Sequence, residues 1–299
     1  MAEIGELLVS AVASGCIYGL MALSYLLIIR PTGVINFALG EWAMLGAFAA
    51  VALGSDLLVP ALQLPHFVSL VLVIVVIAAI GALTEILTVR PLIEKGAPLL
   101  SPVLALLGVL VISLQVGTLA GGTEALPAPP PFGFRRVELG VFAGTPQAFY
   151  VIATAIVVFG AAWLFFERTI WGKRFEAVAI NRRAAALMGI NLRAVGLLAF
   201  GGAGAVCGIV GVLTSGGSGA FYQMGLPLAI QGFTALVIGG VGRVEGAILG
   251  GLILGLVEAF AARYLPIPSS LVLGVPLVLL ILFLLVRPTG LLRAREDGI

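Results

Sequence analysis

Long runs of apolar residues alternate along the chain with short polar interruptions. A helix that crosses a membrane needs about 20 consecutive, mostly apolar residues. The pattern therefore predicts an all-α fold, a polytopic transmembrane helical bundle with about nine spans, within a range of eight to ten. The predicted spans are residues 7–29, 33–54, 66–89, 99–121, 147–167, 194–214, 226–242, 246–262 and 271–287.

The second and seventh predicted spans contain residues that interrupt a membrane helix. The second carries Asn36, Gly40 and Glu41, and the seventh has Pro227 near its start and two glycines at its end. Proline removes a backbone hydrogen bond, and glycine weakens a helix. We expect one or both of these spans to be a broken or re-entrant helix.

Basic residues lie mostly on one side of the predicted membrane. If the polar segment 168–193 is cytoplasmic, only Arg135, Arg136 and Arg263 fall outside the cell. Cytoplasmic loops carry an excess of Lys and Arg. This bias predicts an external N-terminus and a cytoplasmic C-terminus. The proline-rich segment 122–146 is then the main external loop, and its prolines disfavour a helix.

Polar residues inside the predicted spans are functional candidates, because a membrane interior penalises them. Five residues could line a path for a polar solute: Asn36, Glu41, Gln115, Gln231 and Thr234. Structural roles compete with this interpretation, since Glu41 could accept backbone N–H groups of a broken helix and the two glutamines could bond across helices. Glu85 and Glu258 are expected to be structural or to reach toward the surface.

Composition narrows the class of protein. The chain is 61% hydrophobic and 10% charged, whereas soluble domains are about 25% charged, so it is an integral membrane protein. One histidine gives no H-E-x-x-H motif, and the phosphate-binding pattern G-x-x-x-x-G-K-[ST] does not occur. No basic patch is interleaved with aromatics, which argues against nucleic acid. We predict no catalytic residue, no metal site and no cofactor.

The segment 168–193 is amphipathic as well as basic. Apolar residues are mixed with its basic residues at roughly helical spacing: Phe175, Val178, Ala179, Ala185 and Ala186. The spacing predicts one or two short helices at the cytoplasmic membrane surface. Such a segment could fix only the orientation of the chain, or it could form a docking surface for a soluble partner.

Four stretches carry a resemblance to a known family. They are, in chain order, TGVINFALGEWAMLGAF (32–48), GKRFEAVAINRRAAALMGIN (172–191), FTALVIGGVGRVEGAILGGLILGLVEA (233–259) and LLVRPTGLL (284–292). Together they resemble the branched-chain amino-acid permeases of ABC importers, the LivH-type membrane subunits. The chain departs from that pattern at Leu39, where many relatives carry histidine, and at Arg243-Val244-Glu245, where a turn of small residues is common.

The resemblance implies that residues 1–299 form a single transmembrane permease domain of the bacterial inner membrane. It implies import of branched-chain or related amino acids by alternating access, with no enzymatic activity in the chain. The implied partners are a second similar permease, two cytoplasmic ATP-binding subunits, a soluble substrate-binding protein and membrane lipid. It also implies that an ATPase docks on 168–193 through Gly172, Arg174, Ala177, Asn181, Arg182, Arg183, Ala185, Gly189 and Ile190.

Two further hypotheses follow from the polar residues in the spans. A stand-alone ion-coupled transporter or channel, for a small polar solute such as urea or a short amide, would use Glu41, Glu85 or Glu258 as its ion site. In a permease, the N-terminus of a broken helix near Asn36 or Pro227 could instead face the carboxylate of the substrate, because helix N-termini carry partial positive charge.

Overall fold

The apolar runs form helices because a helix satisfies its backbone groups internally, as a membrane interior requires. The computed structural model describes residues 2–55, 64–98, 100–122, 124–128, 132–133, 137–139, 142–264, 274–287 and 290–292. The described helices are α1 (Ala2–Thr32), α2 (Ala38–Gly54), α3 (His66–Thr84), α4 (Arg90–Glu94), α5 (Leu100–Gly121), α6 (Pro146–Arg168), α7 (Ile170–Ile180), α8 (Arg182–Leu187), α9 (Leu192–Ser218), α10 (Gly225–Gly239), α11 (Val244–Tyr264) and α12 (Val275–Val286).

Nine of these helices coincide with the nine predicted spans. Six helical stretches are long and apolar enough to cross a membrane, and they contain α1, α3, α5, α6, α9 and α11. A π-helical turn, Glu85–Val89, joins α3 to α4, so that this stretch runs unbroken over His66–Glu94. The other three, α2, α10 and α12, are shorter apolar helices. The predicted polytopic helical bundle is confirmed.

The predicted loop 122–146 is extended where the structure describes it. Two short strands, β1 (Val137–Leu139) and β2 (Phe142–Gly144), pair antiparallel, with Val137 opposite Gly144. Leu126 exchanges two backbone hydrogen bonds of 2.8 and 2.9 Å with Ala220, just after α9. These bonds hold the loop against the ends of the membrane helices.

Helix α1 lies at the centre of the bundle, where it packs against α9, α10 and α11. Small residues allow its close approach to α11: a Cβ at Gly251 would collide with the backbone of Gly15 and Gly19. Apolar surface gives no attraction between helices in lipid, so close backbone packing of this kind stabilises the pair. By contrast, less than a third of the membrane-spanning stretch is buried in each of α3, α5 and α6.

The two ends of the bundle differ in character. At one end, here called the basic end, Thr32, Glu85–Glu94, Arg182 and the start of α9 line a common cavity. At the opposite end, the loop end, Val9 faces Gly144, and Leu126 pairs with Ala220. The segment 168–193, with α7 and α8, therefore lies at the basic end.

Candidate functional site

Helix α2 begins abruptly after an irregular segment. Helix α1 ends at Thr32, Gly33 adopts a left-handed φ of +70°, and the chain stays non-helical through Phe37. The Asn36 Oδ1 atom then accepts the Ala38 N–H at 3.0 Å, which satisfies one free donor at the start of α2. The predicted interruption of the second span thus lies at its beginning, and α2 is a short, largely buried helix.

The start of α2 crosses the start of α10 with backbones in contact. A Cβ at Gly40 would collide with the carbonyl oxygen of Gly225 and lie 2.8 Å from Ala229 Cβ. The Glu41 side chain points at the same place, since a Cβ at Gly225 would lie 2.5 Å from its carboxyl carbon. Glu41 is 2% exposed. Gly40 thus allows the two helices to approach closely, and Glu41 places its carboxyl group at their contact.

Glu41 sits in the first turn of α2 and beside the first residue of α10. Both helix N-termini carry partial positive charge, which stabilises a nearby carboxylate. Among the described residues, Glu41 Oε2 and Asn36 Nδ2 have no hydrogen-bond partner. Because the α10 N-terminus already faces the chain's own carboxylate, the geometry argues against a substrate carboxylate at that helix end.

A second cluster of polar side chains lies between α1, α10 and α11. The Gln231 Nε2 atom donates to the Tyr18 hydroxyl at 3.1 Å and to Glu258 Oε1 at 3.2 Å. Tyr18 and Glu258 border a groove of about 400 Å³, here called the α1–α11 groove. The groove is lined by Leu7, Ser10, Ser14, Tyr18, Gly255, Glu258, Ala259, Ala262 and Arg263. Glu258, expected to be structural, is thus half-buried beside an open cavity.

The structure does not bring the five predicted path residues together. Asn36 and Glu41 share the crossing of α2 and α10, whereas Gln231 lies at the α1–α11 groove. Thr234 is fully buried on α10, and among the described residues its hydroxyl has no partner. Gln115 lies on the exposed face of α5. The α1–α11 groove and the cavity at the basic end are each lined by other described residues.

The segment 168–193 folds as predicted into two short helices, each with a side-chain cap. The Thr169 hydroxyl accepts the Gly172 N–H at 3.0 Å and starts α7. The Asn181 Oδ1 atom accepts the Ala184 N–H at 3.0 Å and starts α8. Caps of this type stabilise a helix by about 1 kcal/mol. The two caps therefore fix where α7 and α8 begin at the basic end.

A small hydrophobic cluster holds these two helices against the bundle. Phe175, Val178 and Ala185 pack with Val195 and Ala199 of α9. They recur at near-helical spacing, as the sequence pattern indicated. The predicted docking residues Ala177 and Ile190 are partly buried against the same cluster.

The nine predicted docking residues divide into inward and outward positions. Gly172 is buried, since a Cβ there would collide with the Phe165 carbonyl oxygen, and Ala185 belongs to the hydrophobic cluster. Arg174 stacks on Trp171, its guanidinium carbon 4.6 Å from the ring centroid. The exposed members are Asn181, Arg183 and Gly189.

Arg182 lies between the surface and the bundle. It lines a cavity of about 560 Å³ at the basic end. Burial lowers the pKa of its guanidinium, and the nearby carboxylate of Glu85 opposes that shift. Arginine keeps its charge at physiological pH. Arg182 therefore brings a permanent positive charge next to the π-helical turn.

Three large apolar residues of this segment, each more than 80% exposed, were missing from the predicted docking set. Ile180, Leu187 and Met188 are 82%, 89% and 83% exposed. A signal for them existed in the sequence, because they fall outside the helical spacing of Phe175, Val178 and Ala185. Apolar residues outside that spacing point away from the bundle.

Two ion pairs stabilise the basic-end cavity. Arg90 Nη2 lies 2.6 Å from Glu85 Oε2, and the Glu85 side chain is 6% exposed. Arg193 Nε lies 2.7 Å from Glu94 Oε1 in a more open setting. Glu85 thus has a structural partner within its own helix, as expected from the sequence. In the described residues, no group of three or more His, Cys, Asp or Glu side chains could hold a metal ion.

Comparison with known proteins identifies the family. The family described as "branched-chain amino acid transport system / permease component" matches residues 7–284. The high-affinity branched-chain amino acid transport system permease protein BraD of Pseudomonas aeruginosa is 33% identical over 298 residues, covering 97% of this chain and 95% of BraD. LivH of Escherichia coli, a permease protein of the same description, is 30% identical over 300 residues, covering 96% and 94%.

A solved structure shares the fold. PsaBC from Streptococcus pneumoniae in complex with Fab superposes with a TM-score of 0.55, covering 95% of this chain and 91% of that chain at 14% identity. The resemblance found in the four sequence stretches is confirmed by the full-length matches. This multi-pass membrane protein belongs to the family of permease components of branched-chain amino acid transport systems.

Proposed function

We propose that the chain is the permease subunit of an ATP-driven importer that moves branched-chain or related amino acids across the bacterial inner membrane. The relatives that match it over nearly its whole length are described as permeases for that substrate class. The nine apolar helices supply the membrane domain. ATP hydrolysis is assigned to separate subunits, and the chain performs no chemistry of its own.

The exposed face of the segment 168–193 is the observation that carries this proposal. Ile180, Leu187 and Met188 project from the basic end although they are apolar, and Arg183 is exposed beside them. Exposed apolar groups surrounded by polar residues mark protein-protein contacts. Capped helices present the face, and the cluster of Phe175 connects it to α9. A soluble ATPase docked there would move α9 when it binds and releases ATP.

Orientation and partners follow from the same end of the molecule. With the basic end in the cytoplasm, the N-terminus is outside and the C-terminus is cytoplasmic, in keeping with the excess of Lys and Arg. Two ATP-binding subunits dock inside, one for this chain and one for a second permease, either a copy or a homologue. A soluble binding protein delivers substrate to the loop end, and the exposed apolar faces meet the second permease and lipid.

The alternative of an ion-coupled transporter or channel for urea or a short amide receives less support. Glu41 is sealed between α2 and α10, and Glu85 is paired with Arg90. Glu85 and Glu258 each border a cavity, but the Glu85 carboxylate is held there by Arg90, which leaves Glu258 as the candidate. A single carboxylate is weak support for a site that binds the coupling ion of such a transporter.

Uptake by the complete complex in proteoliposomes tests the proposal. Labelled leucine, the binding protein and internal ATP should give accumulation that stops without ATP hydrolysis. The double variant Leu187→Asp/Met188→Asp should lose most uptake, because charge at the docking face opposes burial against the ATPase. The control is Ile170→Asp, which adds one negative charge at a 71% exposed apolar residue in the first turn of α7 and should keep most uptake. ATP-independent uptake, or full activity of the double variant, would contradict the proposal.

Two further substitutions test the exposed face of the segment 168–193. Charge reversal at Arg183 should uncouple ATP hydrolysis from uptake, because this exposed side chain stands next to the apolar residues. Gly189 has a φ of +81° and no atom within 4 Å of a built Cβ. A side chain there strains the turn between α8 and α9 without a steric clash. Gly189→Val should therefore weaken coupling through the turn conformation, which ATPase assays of the assembled complex would detect.

A further inference from the structure

The α1–α11 groove carries a row of polar side chains in a membrane helix. Ser10, Ser14 and Tyr18 recur every four residues and therefore lie along one face of α1. Glu258 of α11 faces them across the groove, and Ser10 is exposed. The groove lies toward the loop end, since Leu7 and Arg263 border it.

Such a groove suits water and not lipid. A carboxylate in a transmembrane helix faces a bundle interior or a water-filled cavity, because hydrocarbon does not solvate it. Glu258 is half-buried and borders open volume. The volume of about 400 Å³ falls within the range of about 300–1,000 Å³ for small-molecule sites. The groove is therefore large enough for an amino acid.

The groove contains oxygen acceptors at Tyr18 and Glu258, and it also has the guanidinium of Arg263 in its lining. The buried Gln231 amide donates to both the Tyr18 hydroxyl and the Glu258 carboxylate, so it fixes two oxygen atoms next to each other. An ammonium group has three donors and no acceptor. Glu258 is the single carboxylate among the residues that line the groove, whereas a divalent cation prefers several oxygen ligands. A primary ammonium group matches this set best.

We propose that the α1–α11 groove is an outward-facing substrate site of the permease, in which Glu258 binds the ammonium group of the transported amino acid. This inference rests on the proposed import of amino acids. Gln231 is a positioning residue that orients the carboxylate and the Tyr18 hydroxyl. An apolar side chain of the substrate is accommodated by Leu7, Ala259 and Ala262 along the groove.

Protection of an engineered cysteine tests the site in the complete importer. Ser10→Cys places a thiol at the exposed edge of the groove, whereas the native Cys16 and Cys207 are buried, and the parent chain gives the blank. A membrane-impermeant maleimide added from outside should label Ser10→Cys. Leucine and isoamylamine, which carry the ammonium group, should slow labelling about tenfold. The carboxylate 4-methylpentanoate, which lacks it, should not.

Substitutions of the groove residues test whether protection from labelling depends on the Glu258 carboxylate. In the Ser10→Cys background, Glu258→Gln should abolish protection, Glu258→Asp should restore part of it, and Gln231→Leu should weaken it. The matched control Glu124→Gln, in the exposed loop, should leave it unchanged. Protection that survives Glu258→Gln, equal protection by 4-methylpentanoate, or no labelling from outside would each overturn the inference.

The same preparation separates this inference from the proposed function. ATP-dependent leucine uptake by the parent complex together with unprotected Ser10→Cys would reject the groove alone. Absence of ATP-dependent uptake by the parent complex would reject the importer. For Glu258→Gln, copurification of the ATPase subunits shows that the complex is assembled, so lost protection then reports on binding and not on folding.

Discussion

Two carboxylates inside the membrane helices, Glu41 and Glu258, have opposite surroundings. Glu41 is 2% exposed and faces the first residue of α10 across a backbone contact. Glu258 is half-buried, accepts a hydrogen bond of 3.2 Å from Gln231 and borders an open groove. The first has no room for a ligand beside it, and the second has about 400 Å³.

The difference shows that an ionisable residue in a span has at least two distinct uses. At the α2–α10 crossing, a buried carboxyl group faces the N-termini of two helices, which carry partial positive charge. At the groove, a carboxylate held by a neighbouring amide is open to solutes. Hydropathy alone treats both as costly polar residues. Packing around each residue decides which role it has.

The contrast between enclosed and open carboxylates recurs at the basic end, where we expect the largest effect on stability. Glu85→Gln removes the charge that pairs with Arg90 and lies near the half-buried Arg182, and should destabilise the chain by roughly 2–3 kcal/mol. Glu94→Gln breaks an exposed pair and should cost at most about 1 kcal/mol. Thermal unfolding of the purified complex compares the two. Equal losses of stability in the two variants would mean that burial does not determine how much each ion pair contributes to stability.

The α2–α10 crossing can be broken sterically. A Cβ at Gly40 collides with the Gly225 carbonyl oxygen, so Gly40→Ala should destabilise the chain by roughly 1–3 kcal/mol through overpacking. Gly108→Ala is the matched control, because a Cβ there meets no atom within 4 Å. It should be neutral or slightly stabilising in the same unfolding experiment. If Gly40→Ala left the stability unchanged, the crossing would have room for a methyl group, and this prediction would be wrong.

A smaller effect should separate the two carboxylates directly. Glu41→Gln removes the charge that faces two helix N-termini and should lower stability by up to about 2 kcal/mol. The KM for substrate uptake should stay unchanged, because Glu41 borders no groove. Glu258→Gln should do the reverse, with a raised KM and little change in melting temperature. If Glu41→Gln raised the KM as much as Glu258→Gln, the distinction between the two sites would fail.

The sequence predicted the positions of the nine apolar helices and the amphipathic segment at the basic end. Both depend on local patterns, since membrane helices are defined by length and apolarity. It could not predict which face of a uniformly apolar helix is buried. Helix α3 is more apolar than α1 and yet far more exposed. Gln115, a predicted path residue, is exposed on α5 for the same reason.

The candidate site was only partly predictable. Asn36 and Glu41 were correctly found near a helix break, because the break has local signals in polar residues and glycine. The contact of Glu41 with Gly225 joins residues 184 positions apart in the sequence, and no local pattern encodes it. The same holds for Gln231 and Glu258, which meet Tyr18 of α1. Such sites are defined by helix packing.

Native mass spectrometry of the complex, gently extracted from its own membrane with this chain tagged, tests the importer assignment most directly. We expect a mass that contains a second permease chain and two copies of an ATP-binding subunit. The double variant Leu187→Asp/Met188→Asp should lose the ATP-binding subunits and keep the second permease. This chain alone, or only with copies of itself, would contradict the assignment and direct attention to ion coupling at Glu258.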